Sequence, residues 1–227
     1  MTSIYQTALG SDFEKLHPKI QERFGFSSED GVAQIGRGVM EEVSRGSFLT
    51  IPFLMVGTTR NLLFPEQGEN VPFSVNNYAY VDSFGRETVT WNRVFDLDGK
   101  QRRFDATMIY GPERQTIIDY LGNKQHVSVD LEMWADDEGG INIKTGEQRC
   151  YEGPIKFKFP NPLTGHARVR EWWDEELDRF RISVKVSNPI IGKIFHYRGS
   201  FEAETVKIDS PDDIPTDMRP SREIESE

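Results

Sequence analysis

Apolar and polar positions alternate over most of the last two thirds of the chain. Val71, Phe73 and Val75 form one such row, Val89, Trp91 and Phe95 a second, and Phe104, Ala106, Met108 and Tyr110 a third. Successive side chains of a strand point to opposite faces, so each row predicts a strand with one dry face. Asp98-Gly99 separates the last two rows. Both residue types tolerate positive φ, and residues 88–96 and 101–110 are predicted to pair as a tight hairpin.

Gly111-Pro112 and Gly122-Asn123 bracket a short strand containing Ile117, Ile118, Tyr120 and Leu121. Val127, Val129, Leu131 and Met133 alternate with polar residues, and a less regular strand follows over residues 141–151. Pro154, Pro160 and Pro162 mark an extended connection. Ala167, Val169 and Trp173 lead into an acidic turn at residues 174–178, and Phe180, Ile182, Val184 and Val186 alternate strictly after it. The last strand, over residues 193–206, places Phe195, Tyr197, Gly199 and Phe201 on one parity.

Upstream the period changes. Tyr5, Leu9, Phe13, Leu16, Ile20 and Phe24 recur at spacings of three and four, which predicts short helices within residues 3–25, broken near Gly10 and Pro18. Ser11-Asp12-Phe13-Glu14 fits a capping box, and Gly25 a stop. Ala33, Ile35 and Val39 share a parity and predict a first strand over residues 32–40. Residues 44–63 read as one or two short helices packed as core over a sheet end, with a membrane-surface or lid role as the alternative.

A succession of roughly eight to ten strands joined by short turns implies a meander, which avoids open edges by curling into a barrel or half-barrel. The predicted fold class is therefore mainly β, a β-rich α+β chain. Residues 1–206 are expected to form a single domain, with the antiparallel sheet over residues 71–206. Residues 207–227, acidic and poor in large apolar side chains, are expected to be a disordered tail.

Composition narrows the function classes. A formal charge of −10 repels phosphate backbones, so no nucleic-acid partner is expected. Cys150 is the lone cysteine, which rules out an internal disulfide and fits the cytoplasm. No signal peptide is evident, and the apolar run at residues 48–56, interrupted by Pro52, is too short to be a transmembrane segment.

No glycine-rich dinucleotide or phosphate loop, nucleophile elbow or zincin motif occurs, so no cofactor and no catalytic residue is assigned. His17, His126, His166 and His196 are scattered, and no metal site is expected. Aromatic residues mixed with arginines along strands are the chemistry that stands out. Trp91, Arg93, Phe95, Arg103, Arg170, Glu171, Trp173 and Tyr197 are the candidate ligand-binding residues. Arg93 shares parity with Trp91 and Phe95, and Glu171 with Val169 and Trp173, which makes Glu171 the expected partner of Arg93 should that face be interior.

Several motifs carry a resemblance. Ile4-Tyr5-Gln6-Thr7-Ala8-Leu9-Gly10, Gly36-Arg37-Gly38, Trp91-Asn92-Arg93-Val94-Phe95, Arg170-Glu171-Trp172 and Tyr197-Arg198-Gly199-Ser200-Phe201 resemble, in that order, the bacterial domain of unknown function 4166 family, over residues 3–203. The family implies no reaction. Fusion of some relatives to NAD(P)-binding oxidoreductase domains related to saccharopine dehydrogenase implies an accessory or ligand-holding role. Thr58-Thr59-Arg60-Asn61 departs from the family's leucine-rich segment. The expected function is a non-catalytic module that holds a small amphipathic or hydrophobic ligand in its curved sheet. The alternatives are an interaction subunit for an NAD(P)-dependent oxidoreductase or membrane protein, and an enzyme built on carboxylates and arginines.

Overall fold

The computed structural model describes residues 2–225. Its strands are β1 (Val32–Arg45), β2 (Gly68–Val81), β3 (Glu87–Leu97), β4 (Lys100–Gly111), β5 (Thr116–Leu121), β6 (Val127–Ala135), β7 (Ile141–Glu152), β8 (Ile155–Lys158), β9 (His166–Asp174), β10 (Arg179–Asn188) and β11 (Gly192–Lys207). Consecutive neighbours pair antiparallel, β1 pairs β11, and β7 bridges β6 to β9, so ten strands close into a barrel with 52% of the chain in strand. β8 lies outside the ring and pairs only with the end of β7. Closure leaves the ring without an edge.

Asp98 and Gly99 both have positive φ, 53° and 80°, in the turn joining β3 to β4, as a type I′ hairpin requires. β1 departs from expectation. Ala33 packs outside with Tyr78 and Tyr80, Val39 is exposed, and the row opposite to them, which includes Gly36, Gly38 and Met40, faces inward. A Cβ on Gly38 would stand 2.5 Å from Cα of Phe201, so glycine lets β11 press its ring across β1. Rows without side chains leave no apolar signal, which is why the alternation pointed to the wrong face.

The interior is filled. Phe73, Phe95, Tyr197 and Phe201 interlock at ring separations of 5.0 to 6.2 Å. One barrel end is closed by α1 (Ile4–Leu9), a 3-10 turn (Gly10–Lys15) and α2 (Pro18–Phe24). The capping box forms at Ser3 and Gln6 instead of at Ser11, because the chain after Leu9 tightens into the 3-10 turn, which takes no side-chain cap. Tyr5, Ile20 and Phe24 reach into the barrel.

The other end is covered by a 3-10 turn (Phe48–Thr50) and α3 (Ile51–Thr58). Core packing of this segment holds for Leu54, Leu63 and Phe64, whose ring meets Phe95 and Phe195 at 5.2 and 4.8 Å. It fails for Phe48, Leu49, Phe53, Met55 and Val56, which are exposed.

The C-terminal segment is not a free tail as far as residue 225. Ile214 packs on Ala33, Tyr78 and Tyr80, and Ile224 on Ile109, Ile118 and Tyr120. Asp217 accepts from Arg103 at 2.8 Å, and Glu223 from the Tyr80 hydroxyl at 3.1 Å. The outer wall carries apolar side chains that need cover, and a few isoleucines among the acids supply it. No helix among the described residues is long and apolar enough to cross a membrane.

Candidate ligand site at the helix-capped end

α2 turns Ile20 and Phe24 inward at a spacing of four, and Arg23 falls on the same face. Its guanidinium therefore enters the barrel mouth among rings, with those of Phe201, Phe180, Trp91 and Phe24 at 4.8, 5.6, 5.9 and 5.9 Å. Nε donates to Oε1 of Glu171, which β9 points inward between Ile141 of β7 and Ile182 of β10. Both side chains are essentially dry, 2% and 0% exposed. Nη1 and Nη2 of Arg23 and Oε2 of Glu171 have no hydrogen-bond partner among the described residues. Burial raises the pKa of Glu171 while the Arg23 charge opposes that rise.

A second buried cation lies deeper. Arg93 of β3 donates through Nε to the Phe104 carbonyl and through Nη1 to the Tyr197 hydroxyl, both at 3.2 Å, and stacks 3.7 Å from the Phe104 ring. Asp119 of β5, opposite Met108 in β4, is pushed up to about 7 by burial, with Arg93 pulling the other way. Trp91 Nε1 donates to the Tyr5 hydroxyl at 2.8 Å, and that hydroxyl donates to Met108 Sδ at 3.4 Å.

A cavity of about 420 Å³ opens to solvent between α2, the β9–β10 hairpin and the end of β11. Trp173, Leu177 and Phe180 form its apolar wall, and its charged rim is mixed, with Lys19 and Arg179 beside Glu22, Asp178 and Glu202. Trp173 is held on several sides, edge-on to Phe180 at 4.9 Å and stacked on His17 at 6.2 Å. Arg23 lines this cavity as well as the buried cluster and connects the two.

Of the candidate residues from sequence, Trp91, Arg93, Phe95, Glu171, Trp173 and Tyr197 share the barrel interior and its mouth. Arg103 and Arg170 do not. Arg103 lies on the outer wall between Asp105 and Asp217, and Arg170 binds Asp136 at 2.7 Å and stacks on Trp172. The expected Arg93–Glu171 pair is replaced by Arg23–Glu171, because α2 plugs the mouth and brings its own cation to the carboxylate.

Sequence reasoning missed Arg23, Asp119 and Tyr5 as polar members of this cluster. Asp119 had a readable signal, since it shares parity with Ile117 and Leu121 in an otherwise apolar strand. Asp174, by contrast, accepts from the backbone of Glu176 and Leu177 and serves its turn. No group of metal-ligating side chains occurs among the described residues.

The chain is 34% identical over 204 residues to "Uncharacterized protein YndH" of Bacillus subtilis (strain 168), an alignment spanning 90% of this chain and 98% of that protein. A family model described as "Domain of unknown function (DUF4166)" matches residues 16–201, a span that includes Arg23, Arg93, Asp119 and Glu171. The chain belongs to the DUF4166 family.

Proposed function

We propose that the protein binds a small amphipathic anion, its carboxylate or phosphate on Arg23 and its apolar part against Trp173 and Phe180. The observation that carries this reading is the pair of unpartnered Nη atoms on a buried guanidinium that also lines a cavity. A guanidinium offers five N–H donors, and buried donors are nearly always met. Glu171 takes only the Nε position, which leaves the Nη1–Nη2 edge, one that can accept a bidentate anion. Charge balance supports the same ligand. Arg23 and Arg93 bring two buried guanidinium groups against the single ion-paired carboxylate of Glu171, because burial pushes Asp119 up to about 7 and so towards its neutral form. Because the Nη atoms are sealed in the free chain, seating the anion requires the Trp173–Phe180 wall to move outward.

Binding is preferred to catalysis because Asp119, the carboxyl with a pKa suited to proton transfer near neutrality, does not line the cavity. The test is thermal unfolding with phenyl phosphate, benzoate and indole-3-acetate, together with native mass spectrometry of freshly purified protein. An added anion is expected to raise the melting temperature of the wild type and not that of Arg23→Lys, whose ammonium cannot offer the planar fork. No shift with any of them, and a clean apo mass in repeated preparations, would remove the reading.

A further inference from the structure

α3 is apolar on every side, through Ile51, Phe53, Leu54, Met55 and Val56, yet buries only Leu54 and Gly57. Helices of that composition belong in a protein core or in lipid. The exposure is shared by segments distant in sequence that meet at this one end of the barrel. Gly46 N donates to the Ile194 carbonyl at 2.9 Å, seating the 3-10 turn beside the β10–β11 turn that carries Ile190 and Ile191. Asn188 Nδ2 donates to the carbonyls of Pro162 and Thr164, at 2.8 and 2.9 Å, and brings Leu163 alongside. Arg60 binds Glu152 at 3.1 Å and anchors the β7–β8 hairpin, whose Ile155 and Phe157 are also exposed. Phe48, Ile190 and Leu163, from three of these segments, are 73%, 72% and 67% exposed.

Charge selects the occupant. The chain holds 37 acidic residues, and none falls within residues 46–65, 153–165 or 187–195, where the charged residues are Arg60, Lys156, Lys158 and Lys193. In a chain of net charge −10, the segments that carry the exposed apolar side chains thus hold basic residues and no acid. Glu66, Glu152 and Glu147, at the margins, are tied to Arg102, Arg60 and Lys158.

We infer that this end docks shallowly on the surface of an anionic lipid bilayer, its apolar tips in the boundary between headgroups and acyl chains and its lysines on the phosphates. Separate protruding tips suit a deformable surface, whereas a protein partner would need a matching pit for each. The Arg23 cavity lies at the opposite end and stays in water, so ligand binding and docking stand or fall independently.

The experiment is flotation of the full chain with vesicles of equal parts phosphatidylcholine and phosphatidylglycerol, against vesicles of phosphatidylcholine alone. The protein is expected to float with the anionic vesicles, to stay behind with the neutral ones, and to be released by salt. Phe48→Ser/Phe53→Ser should weaken partitioning by about tenfold or more through lost apolar insertion. Lys156→Glu/Lys193→Glu should abolish the preference for phosphatidylglycerol. All four side chains are exposed, and an unchanged urea midpoint verifies that the variants fold. Failure to float at low salt, flotation indifferent to Phe48→Ser/Phe53→Ser, or a dimer in light scattering that this double variant dissociates would each overturn the inference.

Discussion

Both ends of the barrel are covered by short helices, and they do it differently. α1, the 3-10 turn after it and α2 turn Tyr5, Ile20, Arg23 and Phe24 inward and leave acids such as Glu14 and Glu22 outside. The α3 end plugs the barrel with Leu54, Leu63 and Phe64 and leaves most of its other large apolar side chains in the open. At the first end the polarity is inverted, with a cation in the core and acids on the surface. At the second it is an apolar excess facing outward on segments that carry no acid of their own. Misplaced polarity of either sign costs stability in a free chain unless something binds there, which is the physical basis for the two occupants we propose, a small anion at one end and an anionic surface at the other.

The sharpest break between the ends is expected from Arg23→Met, which leaves Glu171 buried and alone and should cost about 3–5 kcal/mol in urea unfolding. Adding Glu171→Leu should recover most of that loss, because an apolar pair replaces a buried ion pair at little net cost. A loss under about 1 kcal/mol for the single change would mean that the pair does not hold the helix-capped end.

Next in size is Asp119→Asn, read against pH. The folded pKa near 7 lies above the ordinary 3.8, so the folded chain binds more protons than the unfolded chain between those values, and wild-type stability falls as pH rises through that window. Asparagine mimics the neutral acid. The variant should match the wild type near pH 4 and exceed it by a few kcal/mol near pH 8, because each pH step between the unfolded and folded pKa values is worth about 1.4 kcal/mol. Parallel stability curves across that range would remove Asp119 from the buried charge balance.

The smallest effect belongs to the α3 end. Phe48→Ser/Phe53→Ser should change the free energy of urea unfolding by no more than about 0.5 kcal/mol, since both side chains are largely in water already. A larger loss would mean that this end is core after all, and the contrast between the ends would disappear.

Much of the barrel wall was legible. Strict alternation in β10, and the Asp98-Gly99 turn, report environments set by neighbours in sequence. β5 shows the limit. Ile117, Ile118 and Tyr120 are all buried, because the barrel interior covers one face and the C-terminal segment the other, and a wall covered on both sides loses its alternation. Arg103 and Arg170 read as site residues because an arginine beside aromatics in sequence looks alike on either face of a closed wall.

From the residues alone came the antiparallel strands of a meander, the helices at the start and the shared parity of Trp91, Arg93 and Phe95, because alternation, turn chemistry and helical spacing act over a few positions. Ring closure through β1–β11 and β6–β7, the docking of the C-terminal segment, and the meeting of Arg23 with Glu171 across 148 positions were decided only by the tertiary structure. These contacts join groups whose local patterns carry no information about one another, and they form because a curved sheet must remove its last edge and a buried charge must find its counter-charge wherever the chain brings one.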